Sequence, residues 1–79
     1  MLDAIQRNRR ANLRIVLREL AFDGVCRRPG KALALHTDRR ALAAMMTGEH
    51  IPEDFAREVE WLLHKHAGWM DEDERHREL

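Results

Sequence analysis

The 79-residue chain holds one cysteine, two prolines and four aromatic residues, and none of its apolar runs approaches the ~20 residues that a membrane span requires. Cys26 alone cannot close an internal disulfide, and one cysteine among scattered histidines makes no zinc pattern. A reducing, cytoplasmic setting and no metal are therefore expected. Residues 1–10 lack the apolar centre of a signal peptide. The sequence also has no glycine-rich phosphate loop, nucleophile elbow or paired-carboxylate arrangement. His64 and His66, two apart on one helix, would point to different sides. These absences leave no cofactor and no enzyme to expect. Trp61 and Trp69 lie among acidic residues, whereas a platform for single-stranded nucleic acid interleaves aromatic with basic ones. Both read as core or dimer-contact side chains.

Net charge is missing from the whole but not from its parts. Up to residue 48, ten Lys and Arg stand against four Asp and Glu, a net of +6; beyond it four stand against ten, a net of −6. A domain with one basic and one acidic end can turn the first toward phosphate and hold the second away. With 44% apolar and 35% charged residues in so short a chain, a single domain spanning 1–79 is expected. It would have a modest core over about 12–71, a charged tail at 72–79 and no room for a large catalytic cleft.

No strand-period stretch, internal repeat or low-complexity run interrupts the helical pattern, so the expected fold class is all-α, a compact domain of four to five helices. The first helix is predicted over about 3–22, capped by Asp3 with Gln6 reaching back to it. Leu13, Val16, Leu17 and Leu20 form its buried stripe, and Arg7, Arg10, Arg14 and Arg18 a wetter strip. Asp23-Gly24 stops it, and Val25 and Cys26 tuck inward. Pro29 suits a first turn and opens a second helix over 29–35, which buries Ala32 and Leu35 and exposes Lys31. Thr37 or Asp38 caps a third, which ends near Thr47 where Gly48 supplies a left-handed residue. Leu42, Met45 and Met46 face inward on it. Arg39, Arg40, Ala43 and Ala44 remain for a small, flat outer face with two guanidinium groups near its start. A fourth helix opens at Pro52, places Glu53 and Asp54 in the turn that favours carboxylates, buries Phe55, Val59, Leu62 and Leu63, and ends before Gly68. Ala56 allows close approach, and Trp69 and Met70 fold back on the core.

Met45-Met46-Thr47-Gly48, Ala56-Arg57, Val59-Glu60 and Gly68-Trp69-Met70-Asp71, with Asn12-Leu13 and Leu17 at the front, follow one another in a familiar order. In this the chain resembles the Cro/CI-like, or XRE-type, helix-turn-helix proteins of phages and bacteria over residues 12–71. The resemblance implies the lambda-repressor-like fold. With Leu42 at the buried middle of the recognition helix, Ala32 and Leu35 take the family's small and apolar helix-two positions. Three positions depart from the pattern: the turn glycine is His36, the apolar residue after it is Thr37, and the glutamine opening helix two is Arg28, with Pro29-Gly30 beside it. Histidine enters left-handed backbone less readily than glycine, so an altered or strained turn is expected.

The resemblance further implies a transcriptional regulator, repressor-like, that binds a palindromic operator in double-stranded DNA as a homodimer. Residues 37–46 would lie in the major groove, with half-sites about one helical turn, ~34 Å, apart. Base reading falls on Arg39, Arg40, Ala43 and Ala44: a guanidinium fork meets O6 and N7 of guanine, and a small apolar side chain meets a thymine methyl. Phosphate contacts fall on Arg28, Lys31, Thr47 and His50. An alternative keeps the fold but makes it a protein-binding inhibitor, adaptor or antitoxin-like regulator. Its acidic half, with Glu53, Asp54, Glu58, Glu60 and residues 71–74, would engage a protein partner.

Overall fold

A computed structural model describes residues 4–24 and 28–73, residues 28 and 29 by their backbone alone. The regular elements are all helical: α1 (Ala4–Phe22), α2 (Arg28–Ala34), α3 (Arg39–Met46), α4 (Glu53–Leu62) and a 3-10 turn (Trp69–Asp71). The cap at Asp3, the inward tuck of Val25 and Cys26, and the tail beyond residue 73 lie outside the described residues. No described helix is long and apolar enough to cross a membrane.

With 19 residues, about 28 Å at 1.5 Å per residue, α1 is the spine against which α3 and the 3-10 turn pack. Leu13, Val16 and Leu20 are buried, and Leu17 is half-buried at the edge of the stripe. The same face continues toward the N-terminus on polar residues, because Arg9 and Asn12 are buried as well. Gln6, expected to reach back to the helix start, instead exchanges two bonds with the backbone of Ile51. Its Nε2 donates to the carbonyl at 2.9 Å, and its Oε1 accepts from the N–H at 2.7 Å. Ile51 is fully buried, so its peptide groups need partners, and the long-range pairing displaces the local cap.

The short helices α2 and α3 pack on each other across a tight turn. His36 N–H donates to the Leu33 carbonyl at 3.1 Å and Thr37 N–H to the Ala32 carbonyl at 2.9 Å, with His36 itself left-handed at φ 57°. The helix-starting cap of α3 is Asp38, whose carboxylate accepts the Ala41 N–H at 2.8 Å. Its end is closed by Gly48 at φ 126° and by Glu49 N–H donating to the Ala44 carbonyl at 2.9 Å. Eight residues are too few for a helix to stand alone in water. What holds α3 is burial of Leu42 and Met45, each contributing about 1.5–3 kcal/mol.

Carboxylates at Glu53 and Asp54 occupy the first turn of α4, and Ala56 and Val59 are buried on its inner face. The helix stops at Leu62, earlier than its apolar pattern suggests. His64 turns left-handed at φ 59°, and Lys65 N–H bonds back to the Glu60 carbonyl at 2.8 Å. That early stop frees the following residues to carry Trp69 and Met70 into the core, where both are buried. Trp61, in contrast, is 72% exposed, as is most of Phe22 at the end of α1. Trp61 is thus no core residue.

Candidate nucleic-acid interface

Arg39 and Arg40 are the first two residues of α3, both exposed, with no acidic residue in that turn. The amino end of a helix carries partial positive charge, so a cation there costs about 0.3–1 kcal/mol unless something compensates it. Among the described residues neither arginine meets a carboxylate, and Asp38 is turned to the Ala41 N–H. Since Leu42 and Met45 fix the opposite face, the two guanidinium groups stand on a rigid element, against the local preference of the chain.

The other expected contact residues are arranged differently. Ala43 and Ala44 are half-buried, and Ala43 turns toward a cavity of about 260 Å³ lined also by Leu17, Lys31, Leu42, Met46 and Thr47. The flat outer face therefore narrows, since Ala43 belongs to the junction of α1, α2 and α3. Lys31, expected to be exposed, is half-buried at this cavity. Thr47 has its hydroxyl donating to the Ala43 and Ala44 carbonyls at 3.0 and 3.1 Å, and its N–H to the same carbonyls at 3.1 and 3.2 Å. Both its donors close the helix end, and none is left for a phosphate oxygen. His50 is exposed on the loop before α4, and the Arg28 side chain lies outside the described residues. The structure thus gathers Lys31, Ala43 and Thr47 at one cavity and leaves Arg39 and Arg40 outside it.

Several charged residues are used within the fold. Arg10, placed on the wetter strip by the sequence, donates from Nε to the Met45 carbonyl at 2.9 Å and from Nη2 to the Glu49 carbonyl at 3.0 Å, which closes the carboxyl end of α3. Lys65 reaches Glu19 at 3.0 Å and lies 4.8 Å from the centre of the Trp69 ring. Arg7, Arg14 and Arg18 stay exposed along α1. Among the described residues the basic excess that faces solvent is therefore carried by these three and by Arg39 and Arg40.

The acidic half is drawn inward to a comparable degree. Glu60 is buried, and its carboxylate accepts Gly68 N–H at 3.0 Å, Met70 N–H at 2.7 Å and Arg57 Nη2 at 3.0 Å. Arg57 Nε also lies 3.0 Å from Glu60 Oε1, close enough for ion pairing but not aligned for a hydrogen bond. Asp71 receives Arg9 in a fork, Nε at 2.6 Å and Nη2 at 3.2 Å, with Arg57 Nη2 at 3.0 Å. The Arg9 hydrogen bonds lower the Asp71 carboxyl from its usual 3.8; burial opposes them, and Arg57 adds to the lowering. Asn12, fully buried, places Nδ2 at 3.1, 2.7 and 2.9 Å from the carbonyls of Trp69, Met70 and Glu72. Glu60 is therefore unavailable to a protein partner. Glu53 and Asp54 remain exposed, Asp54 on an open groove with Leu35, His36, Phe55 and Glu58.

This polar network went unassigned from the sequence, although its signal was there. Positions 9 and 12 continue the stripe of 13, 16 and 20, and position 60 follows 56 and 59, so charged and amide side chains fall on buried faces. Among the described residues no group of three or more His, Cys, Asp or Glu could hold a metal ion. Compared with protein-family models, curated proteins and solved structures, the chain has no match.

Proposed function

We propose that this chain is a sequence-specific DNA-binding regulator of the Cro/CI type that reads the major groove with α3. The observation that carries the proposal is the pair Arg39 and Arg40, exposed and without a carboxylate partner among the described residues, on a helix end that disfavours them. Guanine O6 and N7 offer the paired acceptors that the fold withholds from them. The left-handed His36, at the position of the family's turn glycine, supports the helix-turn-helix reading. Lys31, His50 and Arg28 take the phosphate contacts, and two copies meet a palindrome. Thr47 drops out of the phosphate set, because its donors serve α3.

Selection from a randomised duplex pool at two salt concentrations, with Arg39→Ala/Arg40→Ala alongside, tests the proposal. Enrichment of a palindrome that the variant fails to select supports it. Weak, salt-sensitive binding without enrichment overturns the base-reading role. That outcome would favour a protein partner at Glu53, Asp54 and the groove beside them.

A further inference from the structure

The cavity at the junction of α1, α2 and α3 has a chemistry of its own. Among the described residues its walls are apolar, from Leu17, Leu42, Ala43 and Met46, and its polar members are Lys31 and Thr47. Lys31 has no carboxylate partner among the described residues, although it is half-buried. The Thr47 hydroxyl uses its hydrogen on α3 carbonyls, so toward the cavity it can act only as an acceptor. An apolar cavity of about 150 Å³ is enough to take up benzene. The roughly 260 Å³ here leaves room for an aromatic ring with a short acidic arm.

We infer that this cavity binds a small aryl acid: the ring packs among Leu17, Leu42, Ala43 and Met46, the carboxylate meets the Lys31 ammonium, and a ring O–H or N–H donates to Thr47 Oγ1. Each ligand group answers one feature of the described lining: the apolar walls, the Lys31 cation, and the Thr47 acceptor whose own hydrogen is engaged. Binding at this site does not depend on whether the chain binds DNA. If it does, the acid takes Lys31 away from phosphate.

Isothermal titration of the full chain with 4-hydroxyphenylacetate, in the absence of DNA, tests the site independently of the DNA reading. Saturable one-to-one binding is expected, at least tenfold weaker for Lys31→Met, while the uncharged 4-hydroxyphenylacetamide binds wild type and Lys31→Met alike. Ala43→Leu fills the cavity and should abolish binding of both compounds, with thermal melting used to confirm that this variant is folded. Methyl NMR shifts confined to Leu17, Leu42 and Met46 on titrating the wild type give a readout that needs no variant. Failure to saturate at millimolar concentrations, shifts spread elsewhere, or undiminished binding to folded Ala43→Leu would each overturn the site. So would displacement of the acid by inorganic phosphate at equal concentration, which would reduce Lys31 to an ordinary anion contact.

Discussion

His36 Nδ1 lies 2.9 Å from Glu58 Oε2, so the left-handed residue between α2 and α3 is also tied to the middle of α4. Both side chains are largely exposed, which limits the pair to about 0–1 kcal/mol. Holding an L-residue left-handed costs roughly 1–2 kcal/mol. Glycine would remove that strain, give up the pair and add about 0.5–1 kcal/mol of lost chain freedom. His36→Gly is therefore expected to stay within roughly 1 kcal/mol of wild type in urea unfolding. His36→Val, β-branched in left-handed backbone, should lose about 2 kcal/mol. Equal losses for the two would show that the side chain rather than the backbone governs this turn.

Asp71 makes stability depend on acid. Its folded-state carboxyl titrates below the usual 3.8, so the folded form holds the proton less tightly than the unfolded one. Its stabilising contribution is full above the unfolded value and disappears as pH falls through the folded one. Asp71→Asn should be less stable than wild type at pH 6, and the gap should narrow steadily below about pH 4. Unfolding midpoints of the two proteins at pH 6, 4 and 3 give the comparison. A gap that does not change with pH would remove Asp71 as its source.

Glu60 and Asn12 differ in what their loss leaves behind. Glu60→Gln keeps shape but sets its amide NH2 against the Gly68 N–H in one orientation and against the Met70 N–H in the other, with an expected cost of about 1–3 kcal/mol. Glu60→Arg buries a cation against Arg57 and should cost about 3–5 kcal/mol, enough to unfold a domain of this size. Asn12→Leu is close in volume yet removes the buried donor shared by the Trp69, Met70 and Glu72 carbonyls, for about 1–3 kcal/mol. Denaturant titration ranks the three. A mild Glu60→Arg would contradict the burial on which this order rests.

For the proposed DNA contacts, Arg39→Ala and Arg40→Ala should each reduce discrimination by about 1–3 kcal/mol on the selected duplex and leave random duplex nearly unchanged. Lys31→Ala should weaken both alike and lower the slope of log K against log salt by about one. Thr47→Val should leave DNA affinity intact, since its donors already serve the end of α3. Fluorescence anisotropy at several salt concentrations separates these patterns.

Helix positions were legible because apolar spacing, prolines and glycines act locally. The Leu13, Val16 and Leu20 stripe, Leu42 with Met45, the Asp38 cap and the Gly48 stop all stand where spacing put them. What spacing could not supply is the partner of a polar residue. Gln6 has an adequate local role in a capping box, and only the meeting of α1 with Ile51 reveals another. Arg10 looked like a solvated surface cation because its acceptors, Met45 and Glu49, lie more than thirty positions away. Arg39 and Arg40 were legible for the opposite reason, since exposure at a helix start needs no distant partner. For Thr47 and Ala43 the spacing left open which way a donor or a methyl points. Helical periodicity settles that only to within a wide arc.

The bonds from Arg9 and Asn12 to residues 69–72 also bear on how the chain is made. α1 precedes the 3-10 turn in the chain, yet its buried Arg9 and Asn12 bond to the backbone and carboxylate of residues 69–72, and these bonds form only once that segment is made. The helix pair α2–α3 can therefore emerge well before the surface it packs on is settled. The polar part of the core is completed only when residues 69–72 dock on α1, so the amino-terminal helix and the 3-10 turn are finished together rather than one after the other.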